Sequence, residues 1–363
     1  MSKIFSTRVV YPRLVILSTL RSQAFIFAIC FLLSNHVVAI PVVDIHDRAA
    51  VQLLYNDVYQ ASIGINSQWS GDVKNCDAGN TSVAYKNAVL QRINYFRSMS
   101  GVDANIQFNA DFNSKAQAAA LMMSANSNLN HHPPVSWDCY SADGAEAAGI
   151  SNLGLGTHGY QAITLLMEDH GAENTLVGHR SWIYYPQTQT MGTGDVDSSV
   201  FGVRPAHATI VQDENVFSTR PVTRDGFVSW PPPGYVPFQL VFKRWSLSYA
   251  NADFSNTTIE MVDSKGSVIN ANIIDRSAPP IRGRLTAPEN TIVWEPSVNP
   301  EVARGNSDIE YLVTVDNVLL DGVPTTFEYT VTAFDPSIIV DPVDPVDPVD
   351  PVDPVDPVDP VDP

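Results

Sequence analysis

Apolar positions along the chain recur at helical spacing through the first half and alternate through the last third. Between 48 and 63, Ala50, Leu53, Leu54, Val58 and Ala61 fall on one helix face. A stronger helix is predicted over 82–99, with Val89, Ile93 and Phe96 on one side. Asn109 or Asp111 can cap a third helix running through Met123. Its apolar face is Phe112, Ala116, Ala119, Ala120 and Met123, and the small alanines predict close packing against a neighbouring layer. From 131 to 159 the text changes to Pro, Gly, Ser and Asn, the composition of loops that carry a site. A short helix over 160–167 and strand-like pieces at 189–194 and 200–203 follow.

The second half reads differently. Ser229-Trp-Pro-Pro-Pro-Gly-Tyr-Val-Pro237 predicts a stiff extended hinge, because consecutive prolines fix φ and exclude helix. Beyond it, period-two alternation at 258–262, 311–315 and 326–332 predicts strands, with turns at Lys265-Gly266 and Asp321-Gly322. Several short strands over this span suggest a small β-sandwich. From Asp341 the chain is a strict Asp-Pro-Val repeat that cannot form a core and predicts an extended, polyproline-like spacer. The predicted organisation is a leader at 1–39, a helical extension at 40–79, an α+β layer domain at 80–215, a hinge at 216–238, a β-sandwich at 239–338 and the repeat tail at 339–363.

Charge and cysteine usage sharpen this picture. Lys3, Arg8, Arg13 and Arg21 precede a short apolar run from Ala24 to Leu33 and the small-residue pattern Val37-Val38-Ala39. That order predicts a removable secretory signal, with an uncleaved anchor as the alternative. Export to the periplasm, the cell surface or the medium follows from it. Cys30 lies in the leader, so Cys76 and Cys139 remain, and one disulfide between them is expected outside the cytoplasm. Loss of the four basic leader residues, with no acid removed, takes the net charge from -18 to -22. Such a field disfavours nucleic acid as a partner.

Histidines and acids gather in the first domain: His131-His132, Glu146, Glu168-Asp169-His170 and Gly178-His179-Arg180. Imidazole and carboxylate together can bind Zn²⁺ or move protons. Neither an H-E-x-x-H helix nor a G-x-S-x-G elbow is present, and Ser151 reads as a loop serine before it reads as a nucleophile. Arg180 invites two readings, a structural ion pair with Glu168 or Asp169 or a contact to an anionic ligand. Trp182, Tyr184 and Tyr185 read as core and rim packing.

The order Asn94-Tyr-Phe-Arg97, alanine-rich helix, Leu129-Asn-His131, Asn152-Leu-Gly-Leu-Gly156, helix, Gly178-His179, Met191-Gly-Thr-Gly194 resembles the CAP superfamily of cysteine-rich secretory, antigen 5 and pathogenesis-related proteins, and more closely its bacterial secreted members. The resemblance covers roughly 80 to 205. It implies an α-β-α sandwich with a central cleft holding two histidines and two acids, which in some members bind Zn²⁺ or another divalent cation. By position the histidines are His131, or His132 if the register slips by one, and His179. The family's Gly-Glu-Asn-Leu turn reads Ile150-Ser151-Asn152-Leu153 here, so Ser151 stands where a glutamate is usual. Glu146 is then the candidate for the missing carboxylate, and Glu168 or Asp169 for the second acid. Ser151, Asn152 and Arg180 are the expected support of the cleft.

Two functions follow. The resemblance implies an extracellular binding module without catalysis, whose cleft takes a small or lipid-like ligand, with or without a cation. The alternative is a metal-assisted hydrolase, with zinc on His131 and His179 and Glu146 or Glu168 as general base. A purely adhesive β domain is a third reading.

Overall fold

The computed structural model describes residues 43–197, 202–277 and 288–338. The leader and the repeat tail lie outside the described residues, as do two of the four positions of the strand expected at 200–203; the other two, Gly202 and Val203, are described and lie in no strand. Among the described residues no helix is long and apolar enough to cross a membrane.

Helix α1 (Arg48–Leu54) is capped by the Asp47 carboxylate and runs on through a π turn and a 3-10 turn to Ser62. Helix α2 (Val83–Met99) starts on the Ser82 hydroxyl, which accepts from the Tyr85 N–H. After the short β1 (Gln107–Phe108), α3 (Ala110–Asn126) starts at Asn109, the first of the two expected caps. The stretch expected as loop contains α4 (Ala142–Gly149) and β2 (Ser151–Leu155). Helix α4 lacks a long apolar stripe because it lies almost on α3: a side chain at Gly144 would collide with Met122. Next come α5 (Gly159–Glu168), α6 (Gly178–Ile183), β3 (Thr190–Val196) and β4 (Ala206–Ile210).

These strands form one sheet in the order β1-β3-β4-β2, with β1 parallel to β3 and the other pairings antiparallel. One face packs on α3 and α4 through Ala116, Ala119, Ala120, Ala147 and Ala208. Helices α2, α5 and α6 supply a second core with Ile93, Phe96, Ile163, Trp182 and Met191. The alanine face of α3 and the glycines of β3 explain one another. A Cβ at Gly192 or Gly194 would run into the backbone of Phe112 or of Ala116 and Gln117, so helix and strand approach more closely than side chains allow. The α+β class and the α-β-α layering expected from the sequence are both present.

The proline-rich stretch departs from its reading as a hinge. It supplies β5 (Val228–Trp230) and β6 (Gly234–Pro237), one to each of two further sheets. The remaining strands are β7 (Trp245–Ser248), β8 (Thr258–Asp263), β9 (Ala271–Arg276), β10 (Thr291–Pro296), β11 (Ile309–Leu320) and β12 (Val323–Phe334). They pair as β5-β7-β10-β9 and β6-β12-β11-β8. Trp245 and Tyr311 meet between the sheets with ring centroids 5.9 Å apart. Asp321 and Gly322 both take positive φ, the geometry of the tight hairpin joining β11 to β12. Trp230 explains the lost hinge. It is fully buried, stacks edge-on against Phe96 of α2 at 5.2 Å and donates its indole N–H to the Leu240 carbonyl. One apolar core therefore runs from the helices into the β layers.

Candidate functional site

Two arginines of the sequence motifs turn out to be scaffolding. Arg97 is fully buried, and its guanidinium donates to the carbonyls of Asp103, Ile183, Tyr185 and Thr188. Asn94 closes the same loop by exchanging hydrogen bonds with the Ile106 backbone. The pair thus ties α2 to the chain after α6. Arg180, 1% exposed, donates to the carbonyls of Met167, Glu168 and Arg244 and to the Ser246 hydroxyl. The guanidinium takes no carboxylate and cannot reach a ligand, so both expectations for it are corrected. Helix ends expose unpaired carbonyls, and a five-donor fork satisfies several at once. Burial pushes the pKa of each guanidinium down to about 10.

Behind Arg180 the exchange is reciprocal. Arg244, at the entry to β7, donates to the carbonyls of Asp169, Gly171 and Asn174. The loop 169–177 is therefore held from the β layers, and its Thr175 hydroxyl donates to Asp275 of β9 at 2.5 Å. That loop forms one wall of a cavity of about 510 Å³. His131, His132, Ser151, Asn152 and His179 line its other side, with Trp182 and Gln212.

The two cleft histidines are both oriented through Nδ1. His131 Nδ1 lies 2.8 Å from the Ala148 carbonyl, which can only accept, so Nδ1 carries the proton and Nε2 a lone pair. His179 Nδ1 lies 2.8 Å from Asp169 Oδ1, with the same consequence. Asp169 is 1% exposed and sits at the left-handed C-cap of α5, φ 53°. Its Oδ2 accepts the N–H of His179 at 2.9 Å and of Arg180 at 3.3 Å, capping α6. Asn152 donates to the His179 carbonyl at 2.9 Å. His132 also lines the cavity, with its backbone N–H held by Asn130.

The acids behave otherwise than expected. Asp169 holds His179 and is not among the residues that line the cavity, so it orients a histidine and is no direct cleft ligand. Glu168 is half-buried, and its contact to Arg180 is made by its carbonyl. Glu146 points out from α4 and pairs with Lys115 at 3.3 Å, so it does not replace the carboxylate missing at Ser151. The Ser151 hydroxyl is buried against the cavity and has no hydrogen-bond partner. Carboxylates on the cavity wall come instead from Glu173 and Asp275. Glu173 stands in a loop without periodicity. Asp275 lies a hundred positions from its bonding partner Thr175, and no spacing rule reaches that far.

Among the described residues no group of three or more His, Cys, Asp or Glu side chains could hold a metal ion. A catalytic zinc takes three protein ligands and a water. Two imidazoles alone do not make such a centre. Cys76 and Cys139 are joined in a disulfide, as expected, linking the loop before α2 to the loop before α4.

Residues 90–213 match the model of the CAP family, the cysteine-rich secretory protein family. No curated protein matches the chain. The matched segment holds every cleft residue named above except Asp275, which the β layers contribute.

Proposed function

From a CAP domain whose cleft is closed by a β-sandwich, we propose that this protein is an exported, non-catalytic binding module for a small polar ligand. The observation that carries the reading is the pair of imidazoles, His131 and His179, each fixed by its Nδ1 so that Nε2 is available at one cavity. Leu176, Val211 and Trp182 are the large apolar side chains of a wall otherwise made of hydroxyls, amides, imidazoles and carboxylates. That composition supports a polar occupant over a lipid. Metal-activated water has less behind it, because no three His, Cys, Asp or Glu side chains converge to hold a metal ion among the described residues.

Zinc alone serves as a probe of the two lone pairs. Calorimetric titration of the whole chain with Zn²⁺ should give one weak site, roughly micromolar or weaker, as two neutral imidazoles provide. The His131→Ala/His179→Ala variant should lose it. Nanomolar zinc accompanied by ester or peptide hydrolysis would contradict the reading, and so would zinc binding that survives in the variant.

A further inference from the structure

The hydrogen-bonding capacity of the cleft is lopsided. His131 and His179 offer Nε2 lone pairs. Asn152 and Asn174 commit side-chain N–H groups to the carbonyls of His179 and His170, so the other end of each amide is the acceptor Oδ1. The Thr175 proton is committed to Asp275. Glu173 and Asp275 add carboxylates, and among the described residues no lysine or arginine lines the cavity, whose side-chain N–H donors include Trp182 and Gln212. Arg180 and Arg244 stand close by, but their guanidinium groups are committed to backbone carbonyls of the loop behind the wall. Ser151 also lines the cavity; its hydroxyl lies buried beneath the wall and meets no hydrogen-bond partner among the described residues.

An acceptor-rich wall asks for a donor-rich ligand. A neutral polyol brings as many acceptors as donors and does nothing for the two carboxylates. A protonated primary amine brings three donors, no acceptor and the opposite charge. The net charge of -18 draws such a cation toward the molecule, and a cleft lined by one sign of charge concentrates that field. We propose that the cleft takes a small organic cation carrying a protonated primary amine, seated between Asp275 and Glu173 on the loop side and the two imidazoles opposite. The proposal rests on the binding reading and names its ligand class.

The test titrates the whole chain with spermidine, with maltotriose as a neutral hydroxylated probe, at low and moderate salt. One spermidine site is expected, weaker at moderate salt. Glu173→Gln/Asp275→Asn should weaken it by roughly tenfold, as removal of two charge partners does. Asp111→Asn/Glu146→Gln, the same charge change outside the cleft, should leave it unchanged, and thermal midpoints establish that each variant is folded. Equal losses in the two double variants would mean diffuse attraction to an acidic surface and would overturn the proposal. Absence of spermidine binding would overturn it as well. Maltotriose binding that is lost in His131→Ala/His179→Ala, without spermidine binding, would sink the amine and leave the binding module standing.

Discussion

The domain contains two histidine–aspartate pairs of nearly equal geometry, and they do opposite things. His179 and Asp169 meet at 2.8 Å, and His207 and Asp195 at 2.7 Å. In both, Nδ1 donates to a buried carboxylate. The difference lies at the far nitrogen. His207 is fully buried, and its Nε2 is met by the Thr209 hydroxyl. Asp195 there also accepts from the Gly159 N–H and the Thr193 hydroxyl, while Gln117 brackets its backbone. Every member of that network is satisfied, so it fixes β3, β4 and α5 and has nothing left for a ligand. His179 keeps a quarter of its side chain exposed, 26%, on the edge of a cavity. A histidine–aspartate pair is thus no sign of a site by itself; what decides is whether Nε2 faces protein or space.

This contrast can be broken by mutation, and the largest effect should fall on the closed pair. His207→Ala leaves the Asp195 carboxylate buried without its partner and should cost about 3–5 kcal/mol in urea unfolding, with no role in any titration of the cleft. A cost near zero would mean that the network is not the keystone described here. His179→Ala also leaves a buried carboxylate without its imidazole, but at the edge of a cavity that admits water, so it should cost less than His207→Ala, about 1–3 kcal/mol, while removing the zinc signal. Next comes Arg244→Ala, which releases three carbonyls of the loop 169–177. Because that loop borders solvent, water replaces part of what is lost, and about 1–2 kcal/mol is expected. Hydrogen exchange should rise within 169–177 and the zinc probe should weaken; unchanged exchange there would show that the clasp does not hold the wall. The smallest effect belongs to Glu146→Ala. Its exposed pair with Lys115 stands outside the cleft, so neither unfolding nor zinc binding should move.

The open pair was half legible before folding. The apolar spacing of α2 and α3 and the Gly-x-Gly of β3 mark the layers, because close packing is a local demand on residue type. His131 and His179 were reachable because each sits in a motif with its own local geometry. The acids were not. Glu146 looked suitable on proximity in the chain, yet a helix turns successive residues outward, and α4 had been read as loop. Choosing between Glu168 and Asp169 needs the left-handed cap at 169, which aims the second carboxylate and not the first at His179. Asp275 and Arg244 act across the boundary between sandwich and cleft, and non-local contacts leave no period to read. The segment 229–237 follows the same rule: its prolines predict stiffness, but whether a stiff segment is free or buried depends on the buried tryptophan beside them.

The central claim is that His131 and His179 present Nε2 to a shared cleft while His207 does not. Nitrogen-15 spectra of the imidazole rings at mildly alkaline pH test it directly, before and after Zn²⁺ is added. The account predicts the Nδ1–H tautomer for His131 and His179, both shifting with zinc, and an unmoved His207. An Nε2–H tautomer at either cleft histidine, or a zinc shift that His207 shares, would contradict it.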